Sequence, residues 1–451
     1  MIMKPLRQLT RYYSGQQTDR FVKSPPLGAR RLAVLIVITV FFLSFLPFEF
    51  FNQLFESRYA KQGIWLILIF SSLLIAIPQV READYWSPSR QLLWASYCCL
   101  GGYAAVYAIF SPPLLNYNQL IGMALLVPVF SFLGLAVSRW KATVLYAILG
   151  MTAIYVAIAV IVAVSGNAET DSHGFRPLIP SALLELKPHY QNATQHIVLF
   201  SLLICFWLVR SISRKWLQAL LILAAAVALF MATQFGGRAA LISVVLAAFF
   251  QAGIRIVQAL MQFRTARERL PAITRPLVGA LLFTVVVVAP LVVTDSPALF
   301  RLSVAYNSMS SDLGAGEFTE ATDPTYRKRL FTLAIQEWLQ NTRTVVIGNG
   351  PQTFNDAFDG QPGEWYYPHN LFLEALAEYG LLGLSLIIIP ILVLAWAVFK
   401  ALKYSTELKV DQLAMLTTTA FYYSIAMVTG GLHSMWVLVF LTAAALPSNS
   451  R

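Results

Sequence analysis

Long apolar runs separated by polar connections form the dominant pattern of this chain. Twelve runs are long enough, or nearly so, to cross a bilayer as a helix. They occupy residues 32–48, 63–78, 91–110, 117–137, 142–164, 193–210, 216–235, 239–262, 277–294, 369–399, 412–429 and 432–447. The runs at 63–78 and 432–447 are slightly short for a perpendicular span, so the predicted number holds to within one or two. The pattern predicts an all-α fold, a polytopic membrane helix bundle of about 12 transmembrane helices.

Two connections between these runs are much longer than the others. They follow the fifth and the ninth predicted span, at residues 165–192 and 294–368. Long connections in a compact protein usually carry function. The chain therefore divides into a segment at 1–31, nine spans at 32–294, a loop at 295–368 and three spans at 369–447.

The larger loop contains the stretch "DPTYRKRLFTLAIQEWLQN". Asp323 before Pro324 is typical of a helix start, because proline fits the first helical position. Apolar residues follow at helical spacing, namely Leu330, Leu333, Ala334 and Trp338. We therefore predict an amphipathic helix near 325–341, lying on the bundle or on the bilayer surface. In the next stretch, "VVIGNGPQTF", Gly348 and Gly350 predict a tight turn.

Composition supports a membrane protein and excludes a soluble one. Hydrophobic residues make up 57% of the chain and charged residues only 12%, with a mean hydropathy of +0.64. If the amino terminus lies inside, 23 of the 33 Lys and Arg residues fall on the inner side, as cytoplasmic loops require. Both termini are then cytoplasmic. The net charge of +11 is accounted for by topology, so a nucleic-acid partner has little support.

The amino-terminal 31 residues and the cysteines add little chemistry. The first 31 residues are too long and polar for a usual signal-peptide n-region, and no small-residue cleavage site follows, so we expect the first span to remain as an anchor. Cys98, Cys99 and Cys205 fall inside predicted spans and define neither a disulfide framework nor a metal site. No carboxylate cluster with metal-ligand spacing is evident. We therefore expect no cofactor and no metal.

Histidines are concentrated on one side of the predicted bundle. The chain has five, and all of them fall in or beside outer connections: His173, His189, His196, His369 and His433. Histidine titrates near neutral pH and serves as a general acid or base. The outer face is therefore expected to hold the polar chemistry.

Three stretches resemble the O-antigen ligase and polymerase superfamily of bacterial membrane glycosyltransferases. They are "GGRAALISVVLAAF" at 236–249, "YRKRLFTLAIQEW" with "VVIGNGPQTF" at 326–354, and "PHNLFLEALAEYGLLGL" at 368–384. Each is similar to a family pattern: an arginine opening a span, an Arg-rich loop helix followed by Gly-x-Gly, and a His-Asn-x-x-Leu helix with a trailing Gly-x-x-Gly. The resemblance covers about the last half of the chain, 236–399.

This resemblance implies a GT-C-like fold in the bacterial inner membrane with an active site on the periplasmic side. The expected donor is a glycan carried on undecaprenyl diphosphate. A ligase attaches the finished O-antigen to lipid A-core, whereas an O-antigen or exopolysaccharide polymerase joins lipid-linked repeat units. A polymerase binds two diphosphate substrates, and the chain has one main outer arginine group, which favours the ligase.

Residue chemistry suggests how such a transfer would work without a metal. The reaction must bind two phosphates, stabilise a leaving diphosphate and deprotonate an acceptor hydroxyl. His369 is the candidate catalytic base, because the positive end of a helix dipole disfavours a protonated ring and leaves a neutral imidazole to accept a proton. Arg238, Arg327 and Arg329 are the candidate diphosphate ligands, since guanidinium forks match phosphate oxygens. Supporting candidates are Arg301, Arg176, Asn370, Glu374 and His433.

Each candidate also has a plainer interpretation. His369 can be a hydrogen-bonded polar residue at a helix mouth, and Asn370 suits a helix cap better than a catalyst. Arg238 can anchor to lipid headgroups, as can Arg327 and Arg329. A twelve-span transporter is a distant alternative, which paired halves and helices broken at the midplane would favour.

Overall fold

The computed structural model describes the larger part of the chain and leaves gaps at several connections. The described residues are 35, 58–80, 86–110, 122–165, 168–171, 174–177, 190–234, 237–263, 266–293, 324–351, 353–354, 368–404, 408–428, 432 and 435–447. The predicted segment 1–31, most of the span at 32–48, and the candidates Arg301 and His433 lie outside them. Within these ranges the fold is helical, as the predicted all-α class requires, with one short β-ribbon in addition.

Thirteen helices are numbered here along the described ranges. Their bounds are α1 Arg58–Val80, α2 Pro88–Phe110, α3 Val127–Val137, α4 Lys141–Ser165, α5 Tyr190–Leu203, α6 Lys215–Gln234, α7 Arg238–Gln262, α8 Ala266–Val293, α9 Pro324–Trp338, α10 Thr342–Ile347, α11 Leu371–Tyr404, α12 Val410–Val428 and α13 Met435–Ala444. A π-helical turn, Gly122–Leu126, leads into α3. Another, Ile204–Leu208, extends α5 into the short helix Val209–Ser211. The strands β1 Ala168–Asp171 and β2 Gly174–Pro177 pair antiparallel.

Five described helices are long and apolar enough to cross a membrane. These spans are Thr194–Ser211, Lys215–Thr233, Arg238–Gln262, Glu268–Val293 and Leu371–Tyr404. A sixth results if Met123–Val137 and Lys141–Ala157, which meet at a bend of 118°, count as one broken span. The chain is therefore a membrane protein by the length and composition of its helices, but the predicted twelve spans are not confirmed.

The shortfall has identifiable causes. Two predicted spans, 117–137 and 142–164, form the single bent pair, and the run at 432–447 yields a helix of only 10 residues. Polar residues lower the mean hydropathy of two further helices. These are α2, which has Arg90 near its start, and α12, which carries three consecutive threonines, Thr417–Thr419. Sequence hydropathy detected every one of these helices, but it did not distinguish lipid-facing helices from short ones enclosed by protein.

Two contacts of α5 fix which helix ends share a side of the bundle. At its start, Thr194 abuts Gly237, the residue before α7, so closely that a Cβ at Gly237 would lie 2.5 Å from the threonine side chain. Beyond its other end, in the π-helical turn that extends α5, Trp207 Nε1 donates to Asp411 Oδ1 of α12 over 2.7 Å. The start of α7 and the start of α12 therefore lie on opposite sides. We call these sides the Arg238 end and the Asp411 end.

Two short helices, α3 and α13, form the centre of the bundle. All residues of α13 are buried, and most of α3 is buried as well. They pack closely at Gly134, where a Cβ would overlap the carbonyl oxygen of Phe440. By contrast, α6 and α8 expose many large apolar side chains, as helices that face lipid do. These short helices are thus enclosed by protein, whereas α6 and α8 present apolar faces to the outside.

The Asp411 end is closed by buried polar side chains. Arg90 Nη2 donates to Ser138 Oγ over 3.1 Å, and Lys141 Nζ donates to the carbonyl oxygens of Ser138 and Leu446, the latter over 2.8 Å. Asp411 is near enough to Lys141 to interact electrostatically. Since the carbonyl groups at a helix end lack partners within the helix, Lys141 satisfies carbonyl oxygens at the ends of α3 and α13.

The contact at Gly134 yields a stability prediction. Gly134→Ala places a methyl group against backbone that cannot rotate away, so we expect a destabilisation of about 1–3 kcal/mol. Gly150→Ala in α4 is the matched control, because a Cβ there meets nothing within 4 Å and helix propensity favours alanine. Thermal unfolding in detergent measures both. Equal melting temperatures would contradict the close packing of α3 on α13.

Candidate functional site

The site begins at the start of α11, where Asn370 caps the helix. Its Oδ1 accepts hydrogen bonds from the backbone N–H groups of Phe372 over 3.0 Å and Leu373 over 3.1 Å. Its Nδ2 donates to the carbonyl oxygen of Met427, at the end of α12, over 3.0 Å. Asn370 therefore holds the amino end of α11 against α12, the structural role that sequence favoured for it.

That bond also assigns the site to one side of the bundle. Because α12 starts at the Asp411 end, its final turn at Met427 lies at the Arg238 end. A mid-helix bond from Thr417 Oγ1 to Gln251 Oε1, 3.2 Å long, aligns α12 with α7. Arg238 and the start of α11 therefore belong to the same end, and α7 also contacts α11. Arg238 itself is partly buried at the first position of α7.

His369 has an unusual backbone conformation. Its φ of +53° is the only positive value at a non-glycine residue among the described residues. Such left-handed conformations cost about 1–3 kcal/mol and persist where surrounding structure enforces them, often at functional sites. Here Pro368 precedes it and the Asn370 cap follows it. The imidazole is half-buried at the mouth of α11.

Two buried glutamates lie one turn apart on α11, in the first turns after His369. Glu374 and Glu378 are each only 3% exposed. Glu374 Oε2 accepts a 2.9 Å hydrogen bond from the backbone N–H of Leu432, which comes just before the start of α13. The partner found for Glu374 is therefore a backbone N–H group. Glu374 thus ties α11 to the connection that contains His433.

Two residues after Glu378, α11 is broken at Gly380. Its φ of +61° and ψ of −163° are not helical. The break removes the helical partners of the carbonyl oxygens of Ala377 and Glu378, which instead accept from the N–H groups of Asn349 over 3.0 Å and Gly350 over 2.8 Å. The Gly348–Gly350 turn therefore replaces two missing hydrogen bonds of α11. Such replacement is necessary, because a membrane helix can be interrupted only where other groups bond to the freed backbone carbonyls.

Glycine is required on both sides of this contact. A Cβ at Gly380 would lie 2.6 Å from the backbone N of Gly348, and one at Gly348, where φ is +75°, would lie 2.5 Å from the N of Tyr379. Both conformations are also left-handed, which an L side chain resists. The two glycine motifs that carried the family resemblance thus meet as one backbone-to-backbone joint.

The loop helices are fastened to α11 around this joint. Leu330 and Ala334 of α9 are buried with Phe354 and with Ala377 of α11. Asn349 Nδ2 donates to the carbonyl oxygen of Glu337 over 2.9 Å. Together these contacts seat α9, in the place where an amphipathic helix was predicted, directly on the first two turns of α11.

Helix α2 supports the same turn from the membrane side. Tyr103 Oη donates to the carbonyl oxygen of Ile347, and Tyr107 Oη donates to that of Gly348 over 3.2 Å. The rings of Tyr103 and Tyr379 also lie 5.7 Å apart. Sequence reasoning missed both α2 tyrosines, because nothing local distinguishes them from the aromatic residues of an ordinary span.

The predicted cations are distributed around this assembly. Arg329 is exposed on α9 and immediately precedes Leu330, which is buried against α11, so it lies within reach of the first segment of α11. Arg327 belongs to α9, but its side chain lies outside the described residues. Arg176 lies in β2, where the strand register sets it opposite Glu169. Arg329 thus belongs to the helix that packs on the first turns of α11, and Arg238 lies at the same end of the bundle.

Two further residues of this region escaped the sequence analysis as candidates. Arg343 is exposed on α10 and interacts electrostatically with Tyr103. His196 is buried near the start of α5, with its ring 4.2 Å from that of Tyr155 in a T-shaped contact. Neither belongs to a motif, so only the packing of the loop and of α5 reveals them.

No metal-binding group of three or more His, Cys, Asp or Glu residues occurs within the described ranges. Comparison of the chain with protein-family models and with curated proteins gives no match. The family resemblance therefore depends on the residues of the three stretches alone.

The joint at Gly380 can be tested by substitution. We expect Gly380→Ala to destabilise the protein by at least about 1–2 kcal/mol, because the left-handed backbone is strained and the methyl group meets the Gly348 backbone. Hydrogen exchange should show faster exchange at the Asn349 and Gly350 amides. Gly279→Ala, which meets nothing within 4 Å in α8, is the control. Unchanged protection of both amides would contradict the joint.

The Asn370 cap predicts a graded effect of two substitutions. Asn370→Ala removes both functions of the side chain and should cost roughly 1 kcal/mol from the cap alone. Asn370→Asp keeps the acceptor for the helix N–H groups and loses only the donor to Met427, so it should be the milder change. Denaturant or thermal unfolding ranks the two variants, and the reverse order would argue against capping.

Proposed function

We propose that this chain is a metal-independent glycosyltransferase that moves a glycan from undecaprenyl diphosphate to an acceptor hydroxyl. The observation that carries the proposal is the strained, half-buried His369 at the mouth of α11, fixed between Pro368 and the Asn370 cap. A left-handed histidine in such a setting is costly, and function is the common reason for retaining that strain. The three stretches resembling the O-antigen ligase superfamily supply the reaction class.

In the proposed reaction, His369 accepts the proton of the acceptor hydroxyl. The hydroxyl oxygen then forms a bond to the anomeric carbon of the donor sugar, while the bond from that carbon to the diphosphate oxygen breaks. The electron pair leaves with undecaprenyl diphosphate, whose growing negative charge the guanidinium groups stabilise. All atoms and charges are accounted for by the two substrates and the protein.

Arg238, Arg327 and Arg329 are the proposed diphosphate ligands. The side chains of Arg238 and Arg329 are described in the structure. Arg238 shares the bundle end of His369, and α9 carries Arg329 to the first turns of α11. Arginine suits this task because it remains charged and presents two parallel donors to phosphate oxygens. Glu374, Asn370 and His433 are proposed to hold the shape of the pocket rather than to touch the reacting atoms.

We further propose that the Arg238 end faces the periplasm of a bacterial inner membrane. The opposite, Asp411 end carries the basic residues that cytoplasmic sides retain, among them Arg90, Lys141, Arg214 and Lys409. Ligation of O-antigen to lipid A-core is the preferred activity, and polymerisation of lipid-linked repeat units is the alternative. The break in α11 lends no weight to a transporter, because the loop turn already occupies the carbonyl groups that it frees.

Complementation of a bacterial strain lacking this protein tests the proposal. His369→Ala should reduce glycan transfer at least about 100-fold, the usual contribution of a general base. Arg238→Ala should reduce it as well, since one diphosphate ligand is lost. Loss of long glycan from lipid A-core with accumulation of long lipid-linked polymer indicates a ligase. A single repeat unit on the core indicates a polymerase.

The matched control for Arg238→Ala is Arg214→Ala, an exposed arginine beyond the last turn of the α5 span on the other side of the bundle. It should restore the wild-type banding pattern. Membrane levels of all variants are compared by immunoblot, so that loss of activity is separated from loss of protein. Wild-type banding with both His369→Ala and Arg238→Ala would show that the proposed site is wrong.

A further inference from the structure

An exposed apolar surface joins the loop helix α10 to the membrane-spanning part of α11. Val346 of α10 is 48% exposed, and Leu381 and Leu382, just after the break, are 44% and 43% exposed. These residues are neighbours, because a Cβ at Gly380 would lie only 2.6 Å from the backbone C and O of Val346. The surface therefore runs without interruption from one helix to the other.

The leucines mark where α11 meets lipid. From Leu381 to Tyr404 the helix has about 24 residues, and at 1.5 Å per residue it is about 36 Å long, enough to cross the hydrocarbon core. Exposed apolar side chains continue along it at Leu392 and Trp396. Val346 therefore lies level with the first lipid-facing residues of this span.

The charge next to this surface is positive. Arg343 is exposed and precedes Val346 by one helical turn, and Arg329 is exposed on α9. The carboxylate of Glu337, a partly buried acidic side chain nearby, accepts a 3.1 Å bond from Asn349 Nδ2, and Glu378 is buried. An arginine one turn from an inserted apolar residue can bind a lipid phosphate while its stem stays in the interface.

We propose that α10 is a membrane contact, in which Val346 enters the lipid leaflet at the Arg238 end and Arg343 binds the phosphate of an anionic phospholipid headgroup. The loop helices would then be held at a fixed height over the leaflet from which a lipid-linked substrate must come. The two contacting residues, Val346 and Arg343, are distinct from the proposed catalytic and diphosphate-binding residues, and the contact does not depend on the transferase activity.

Fluorescence quenching in vesicles tests the apolar half of the proposal. The full chain, with Cys98, Cys99 and Cys205 replaced by alanine, carries Val346→Cys labelled with an environment-sensitive dye. Vesicles contain phosphatidylglycerol and phosphatidylethanolamine with bromine at shallow acyl positions. We expect quenching at least about half of that at Leu392→Cys, a lipid-facing position of α11, and little at Ser213→Cys in the polar connection at the Asp411 end.

One outcome would overturn the contact: bright, unquenched fluorescence at residue 346 while residue 392 is quenched. Should the labelled Val346→Cys chain fail to elute as a single species, Leu339→Cys, which is exposed just after α9, serves as a second position.

A separate arm tests the headgroup. With the label at residue 346, Arg343→Gln should reduce quenching about two-fold in phosphatidylglycerol vesicles and change it little in phosphatidylcholine, since an attraction to the anionic headgroups is lost. Equal quenching with and without Arg343 in phosphatidylglycerol would refute its part. Neither arm uses a glycan, so failure here is distinguishable from failure of the proposed glycosyl transfer.

Discussion

Backbone polar groups must find partners before a helix can be broken inside a bundle, and in this protein one joint meets that constraint. The N–H groups of Asn349 and Gly350 reach the two carbonyl oxygens that the break at Gly380 leaves open. Everything near the proposed site depends on this exchange. It lets the first nine residues of α11 leave the direction of the span, and it ties the loop helices to the segment that carries His369.

The joint also explains why the surrounding residues are so restricted. Two glycines meet backbone to backbone, two tyrosines of α2 donate to the same turn, and Leu330 and Ala334 of α9 pack over the result. A single hydrogen bond in such a set contributes only about 0.5–1.5 kcal/mol. Since all the contacts converge on one turn, they act together to fix the segment of α11 that follows His369.

Hydropathy was sufficient to locate the helices, because a run of apolar residues such as the one in α7 predicts a span wherever it occurs. It could not tell that α3 and α13 are enclosed by protein, because burial within protein and burial within lipid select the same apolar residues. The cap at Asn370 was predictable from local chemistry. The bond from Leu432 to Glu374 and the tyrosines of α2 were not, since they join residues far apart in sequence. The glycine motifs were visible as two separate patterns, and only packing reveals that they are partners.

The bond from Lys141 to the carbonyl oxygen of Leu446 has a consequence for biosynthesis. It joins residues 305 positions apart, and α3 buries its surface against a helix that is made much later. During translation, α3 and the buried cations beside it lack their partner α13 until most of the remaining chain has been synthesised. A quality-control protease or an insertase that recognises unpaired polar groups would therefore encounter α3 and α4 in an open form on every molecule made, and release of α13 would be the event that ends this exposure.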